Sequence, residues 1–154
     1  MIQRIQSLFL FFALALWIVI YFFPVASIFD ANSVYILKAD GLYSQKDALS
    51  DISSTTYPFL MLYVIVFLLQ VMAFFLFRKR GMQMRICLYL AILQAAFLML
   101  AFYYVYQALQ DTGQTSVTWG FSALLPICSA ILNLLAYRYI HKDEEVVKSI
   151  DRIR

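Results

Sequence analysis

Apolar positions in this chain fall into four long runs, and charged positions cluster between them. Arg4 and Asp30 are separated by 25 uncharged residues, Asp51 and Arg78 by 26, Arg85 and Asp111 by 25, and Asp111 and Arg138 by 26. A bilayer core of about 30 Å is crossed by about 20 helical residues. Each run therefore suffices for one crossing with a turn or so to spare. Backbone N–H and C=O groups find no partners in hydrocarbon, so each run must bond within itself as a helix. The pattern predicts four transmembrane helices near residues 7–23, 57–77, 86–106 and 121–140, in one membrane domain over 1–154. The first run, behind Arg4, has the outline of a signal peptide. Pro24 to Ser27 lacks the small-x-small cleavage pattern, and the run is longer than a signal core, so it is expected to stay as an anchor.

The polar stretches between the runs predict an orientation. Short loops rich in Lys and Arg stay in the cytoplasm. The segment FRKRGMQMR carries Arg78, Lys79, Arg80 and Arg85, and is read as a cytoplasmic turn over 78–85. With Arg4 before the first helix and Arg138, Lys142, Lys148, Arg152 and Arg154 after the fourth, ten of the twelve basic residues share one side. The other side has Lys38 and Lys46, with five of the nine acids. Both termini are thus expected inside, and the loop 30–56 outside. Within that loop, Asp40-Gly41 is a turn signal between two short β-prone runs. A small hairpin and an irregular loop are both compatible with it. The polar run SDISSTT offers a cap for the second helix. Tyr103, Tyr104 and Tyr106 read as an interfacial belt, with a ligand-binding aromatic cluster as the alternative.

Composition agrees with this class. Of 154 residues, 64% are hydrophobic and 14% charged, against about 45–50% and 25% in soluble domains. The excess apolar surface has to face lipid. A net charge of +3 is too small to suggest nucleic acid as a partner.

No Asp, Glu, Lys, Arg or His falls inside the four apolar runs. Ionisable groups at membrane depth mark proton relays and ion paths, so a proton-coupled transporter or a voltage sensor is disfavoured. Polar residues do occur there. Gln70 and Gln94 lie eight and nine residues from Arg78 and Arg85, about 12–13 Å along a helix, and Asn133 lies five residues before Arg138. Cys87, Ala91, Gln94, Leu98 and Ala101 follow steps of four and three, as do Ser122, Pro126, Ser129, Asn133 and Ala136. Such steps place each set on one face. Small residues let backbones approach, and buried amides bond across helices. Gln70, Gln94, Ser129 and Asn133 therefore read as a packing seam, with a small polar binding pocket as the alternative. Pro126, early in the fourth predicted helix, is expected to remove one intrahelical bond and kink it.

Candidate chemistry is sparse. Cys87 and Cys128 lie at different depths, too far apart to bridge, and no C-x-x-C is present. A lone His141 makes no zinc site. Phosphate loops, G-x-S-x-G and H-E-x-x-H are absent. No catalytic, metal or cofactor residue is assigned, and the chain is expected not to be an enzyme.

The tail, residues 141–154, differs from the rest. Val146, Ile150 and Ile153 fall at i, i+4 and i+7 with Val147 beside them, an apolar helical stripe. Its four basic and four acidic residues balance. Helices that lie on anionic lipid carry a Lys/Arg excess. Without one, this short amphipathic helix is better suited to a protein groove, the alternative being a solvated end packed on its own loop.

The two ends also carry a family likeness. MIQRIQ and LAYRYIHKDEEVVKSIDRIR resemble domain-of-unknown-function family 4293, small inner-membrane proteins of Bacteroidetes. The resemblance implies a bacterial inner-membrane location, and it carries over no functional residue. The reading is an all-α four-helix membrane bundle with both termini cytoplasmic. Its expected partners are membrane lipid and a cytoplasmic or membrane protein docked by the tail. The alternative is a small transporter or lipid-binding protein that uses the intramembrane amides.

Overall fold

The computed structural model describes residues 2–29, 34–46, 49–52, 56–76, 79–112 and 116–151. The chain is mostly helical, with a small sheet at one end. Its elements, in order, are α1 (Ile2–Phe22), β1 (Ala26–Phe29), β2 (Val34–Lys38), β3 (Gly41–Lys46), β4 (Leu49–Ile52), α2 (Tyr57–Phe75), α3 (Arg80–Thr112), β5 (Val117–Trp119), a 3-10 turn (Phe121–Leu124) and α4 (Leu125–Asp151). Three helical stretches are long and apolar enough to cross a membrane: Tyr57–Phe75, Gly81–Gln110 and Phe121–Asp143. The apolar stretch of α1, Gln6–Phe22, is shorter.

The helices pack in a ring, with α1 and α3 each beside both α2 and α4. Their buried faces share one repeat. Buried positions are Gln6, Leu10, Ala13, Trp17 and Ile20 on α1, and Phe59, Tyr63, Val66, Gln70 and Ala73 on α2. On α3 they include Gln83, Cys87, Leu90, Gln94, Phe97, Ala101, Tyr104 and Ala108, and on α4 Ser129, Asn133, Ala136 and Ile140. Alternating steps of four and three average 3.5 residues, the repeat of a left-handed helical bundle. On α3 this seam departs from the sequence expectation: Ala91 and Leu98 are only half-buried, and Leu90 and Phe97 take the core positions. The outer surface of the bundle is apolar, with Met99 76%, Phe121 73% and Phe22 70% exposed.

The segment between α1 and α2 is more ordered than a loop with at most a hairpin. It joins β5 in a five-stranded antiparallel sheet of order β4-β3-β2-β1-β5. The β2–β3 hairpin is present, but Lys38 pairs with Gly41, so the turn is Ala39-Asp40 rather than Asp40-Gly41. Leu37, Ala39, Ala26 and Ile28 are buried, which seats the sheet on the bundle end. Thr56 precedes α2 without capping it through its side chain. Its Oγ1 instead accepts from the Leu42 N–H at 3.4 Å, tying β3 to the helix. Of the rest of that run, Ser50, Asp51 and Ile52 belong to β4, and residues 53–55 lie outside the described residues.

Three further expectations are corrected. The basic turn is shorter than 78–85, because α3 begins at Arg80. Pro126 does not remove an intrahelical bond. It is the second residue of α4, where a proline costs no intrahelical bond, and a 3-10 turn precedes the helix. Of the three tyrosines, Tyr103 and Tyr106 are exposed, while Tyr104 is buried with its ring 6.0 Å from that of Phe59.

Candidate functional site

Midway along the bundle, a layer of uncharged polar side chains joins all four helices. Gln70 on α2, Gln94 on α3, and Ser129 and Asn133 on α4 are fully buried. Gln70 Nε2 donates to Asn133 Oδ1 at 3.0 Å, and Asn133 Nδ2 donates back to Gln70 Oε1 at 3.0 Å. Asn133 Nδ2 also donates to Gln94 Oε1 at 3.3 Å. Gln94 Nε2 donates to Ser129 Oγ at 2.9 Å, and the Ser129 hydroxyl donates to the Ala13 carbonyl of α1 at 3.2 Å. The chain of bonds thus runs from α2 through α4 and α3, and back through α4 to α1.

What this layer can do follows from its chemistry. Amides and a hydroxyl carry no charge at physiological pH, and none of the four side chains is a nucleophile with a base beside it. Among the described residues, the one buried side-chain atom without a partner is Asp40 Oδ1, far from here in the β2–β3 turn. The layer therefore offers no unpaired group to a ligand. Grooves of about 400, 440 and 350 Å³ open on the surface of the bundle, and none is lined by these four residues.

An aromatic block lies between the layer and the sheet. Trp17 and Tyr63 stack with centroids 5.5 Å apart. The Trp17 indole N–H donates to the Tyr63 carbonyl at 3.3 Å, and the Tyr63 hydroxyl donates to the Trp17 carbonyl at 3.2 Å. Phe97 meets Trp17 edge-on at 5.2 Å and stacks on Phe59 at 4.4 Å. On the other side of the layer, Gln83 Nε2 on α3 donates to the Ala73 carbonyl of α2 at 3.0 Å. Gln6 on α1 donates to Asp143 on α4 at 2.5 Å, and Phe9 stacks on Tyr139 at 5.4 Å. Sequence reasoning missed the cross-links of Gln6, Trp17, Tyr63 and Gln83. Only their place in the 3.5-residue repeat could have singled them out.

The remaining candidates are scattered. Lys79 and Arg85 are exposed near the α2–α3 turn, Arg80 opens α3, and Arg78 lies outside the described residues. Val146, Val147 and Ile150 lie on the helical backbone of α4, and Ile153 lies outside the described residues. Cys87 is buried and Cys128 exposed, both free.

The two terminal motifs thus meet in the fold, Gln6 from MIQRIQ against Asp143 from the tail. A family model matches residues 2–153, nearly the whole chain. The chain belongs to the family described as domain of unknown function DUF4293. No curated protein matches it. A four-helix ring in which Gln6 of α1 bonds Asp143 of α4 is therefore one form this family takes.

Proposed function

We propose that this DUF4293 protein spans the bacterial inner membrane four times with both termini in the cytoplasm. In this reading it is a non-enzymatic accessory protein that presents the end of α4 to a protein partner.

The observation that carries the reading is the continuity of α4. It runs unbroken from Leu125 to Asp151, while the apolar stretch ends at Asp143. Eight further residues, about 12 Å of helix, project beyond that stretch. Their base is fixed to α1 by the bond between Gln6 and Asp143. A helix held at its base loses little orientational freedom on docking, which favours binding by an apolar stripe such as Val146 and Ile150.

Two features support a fourth crossing by α1. Its 21 residues reach about 32 Å, and Ala13 meets the amide layer at the same depth as its neighbours. Orientation rests on charge. The termini and the α2–α3 turn share the end of the bundle opposite the sheet, and ten of the twelve basic residues belong to those segments.

The test compares the full chain with a Val146→Asp/Ile150→Asp variant, both cross-linked in native membranes and purified in mild detergent. A partner recovered in near-equal amount with the parent and lost from the variant, at unchanged thermal stability, supports docking. The same proteins recovered with both chains overturn it.

A further inference from the structure

We propose that the groove between α3 and α4, near the end of the bundle that carries the termini, binds an anionic phospholipid. The phosphate sits at Arg138, and one acyl chain lies along Leu88, Ile131, Leu134 and Leu135. This inference rests on the membrane-spanning reading and goes beyond it in naming a ligand class and a place.

The groove has a volume of about 400 Å³ and is lined by those four aliphatic residues together with Tyr137 and Arg138. That is within the range of small-ligand sites. An apolar groove facing hydrocarbon fills with lipid tails of any kind. Selectivity for a headgroup needs a charge at its end, and Arg138 supplies one. Arg138 is exposed and makes no ion pair or hydrogen bond among the described residues. A free guanidinium matches a phosphate oxygen pair better than an ammonium does.

The register of the two helices adds to that charge. Gln94 meets Ser129, and α3 and α4 run antiparallel. Arg85 lies nine residues before Gln94, and Arg138 nine residues after Ser129. Both arginines therefore stand about 13–14 Å from the amide layer, at one level. This is close to the half-thickness of the hydrocarbon core, where phosphates begin. Lys142, exposed one turn beyond Arg138, raises the local positive charge. Asp143, the described acid nearest Arg138 in sequence, bonds Gln6 of α1 instead. A free phosphate ion would meet the arginine but leave the groove empty, so the site suits a phosphate that carries a tail.

The experiment uses the full chain, delipidated in mild detergent, with phosphatidylglycerol or phosphatidylcholine added back and retention read by native mass spectrometry. One basic side chain near an anionic headgroup corresponds to about a five-fold preference, so phosphatidylglycerol is expected to be retained about five-fold over phosphatidylcholine. Arg138→Gln is expected to lower that preference towards parity, with Arg85 and Lys142 still present. Leu134→Trp, which fills the groove, is expected to lower retention of both without changing thermal stability. Equal retention of the two lipids by the parent chain overturns the proposal, and so does an unchanged ratio in Arg138→Gln. Stabilisation by inorganic phosphate equal to that by phosphatidylglycerol also overturns it, because it makes the site an ion site. Should Arg138→Gln fail to fold, the parent ratio and Leu134→Trp decide. Failure of the membrane reading is seen separately, as a chain that stays in solution without detergent.

Discussion

The side-chain amide of Gln6 donates a 2.5 Å hydrogen bond to the carboxylate of Asp143, across 137 positions of sequence. This bond closes the bundle where the chain begins and where the apolar part of α4 ends. Gln6 is only 5% exposed, so removing its acceptor leaves a buried donor unpaired, at about 1–3 kcal/mol. Asp143→Ala is expected to lower stability by that order in detergent unfolding, and Asp143→Asn, which keeps an acceptor, by less. Amide hydrogen exchange over the last turns of α4 is expected to quicken in Asp143→Ala, because the base of the tail is no longer held.

The amide layer makes a sharper energetic prediction. Asn133→Leu strips Gln70 of its reciprocal partner and Gln94 of a donor. Interhelical bonds of this kind are worth about 0.6–2 kcal/mol. Gln70→Leu and Asn133→Leu are each expected to destabilise by that order, and the double variant by less than their sum, since the second change removes an already orphaned amide. Additive losses in a double-mutant cycle would show that the two side chains act independently.

Gly120 is fixed by close approach rather than by backbone angle. A Cβ there would stand 2.2 Å from the Pro24 carbonyl oxygen. The Gly120 N–H donates to the Val25 carbonyl at 2.9 Å, and the Ser122 hydroxyl to the Pro24 carbonyl at 2.6 Å. Gly120→Ala has to push backbone from backbone, and overpacking of this kind costs about 1–3 kcal/mol or more. Thermal unfolding in detergent checks it, with Ala123→Gly as a control for simple changes in chain flexibility.

A titration tests the sheet. The Tyr43 hydroxyl donates to Asp40 Oδ2 at 2.6 Å. That bond, then burial, then the negative charge of Asp40, raise the Tyr43 pKa from 10.0 to about 12. The folded value lies above the unfolded one, so the protonated phenol favours the fold. Its stabilisation is complete below pH 10 and is lost as pH rises through about 12. Difference titration against Tyr43→Phe is expected to place this phenol near 12, and Asp40→Asn to move it back towards 10.

The helices were legible because each is a long apolar run bounded by charges, a signal that is local in sequence. The polar face of α4 was legible through its spacing at Ser129 and Asn133. Three of the five strands, β1, β4 and β5, were not. Val25–Phe29 continues the apolar run of α1, and Pro24 alone marks the break. β5 is three residues long and is defined by its pairing with β1, a contact between segments about 90 residues apart. The hairpin turn moved by one residue because the buried side chains of Leu37 and Ala39 fix the strand register. On α3, spacing alone left the phase of the repeat open, and the bulk of Leu90 and Phe97 decided which face turned inward. Bonds such as Gln6 to Asp143 depend on the packed bundle and have no local sequence signal.

The most direct test is the side of the membrane on which each end of the bundle lies. Single cysteines placed at Thr118, Lys79 and Lys142, all exposed, are introduced in a Cys87→Ser/Cys128→Ala background. Spheroplasts are then treated with a membrane-impermeant thiol reagent. The account predicts labelling of Thr118→Cys in intact spheroplasts, and of Lys79→Cys and Lys142→Cys only after lysis. Labelling of Lys142→Cys from outside would contradict it, because a tail on that side cannot meet a cytoplasmic partner.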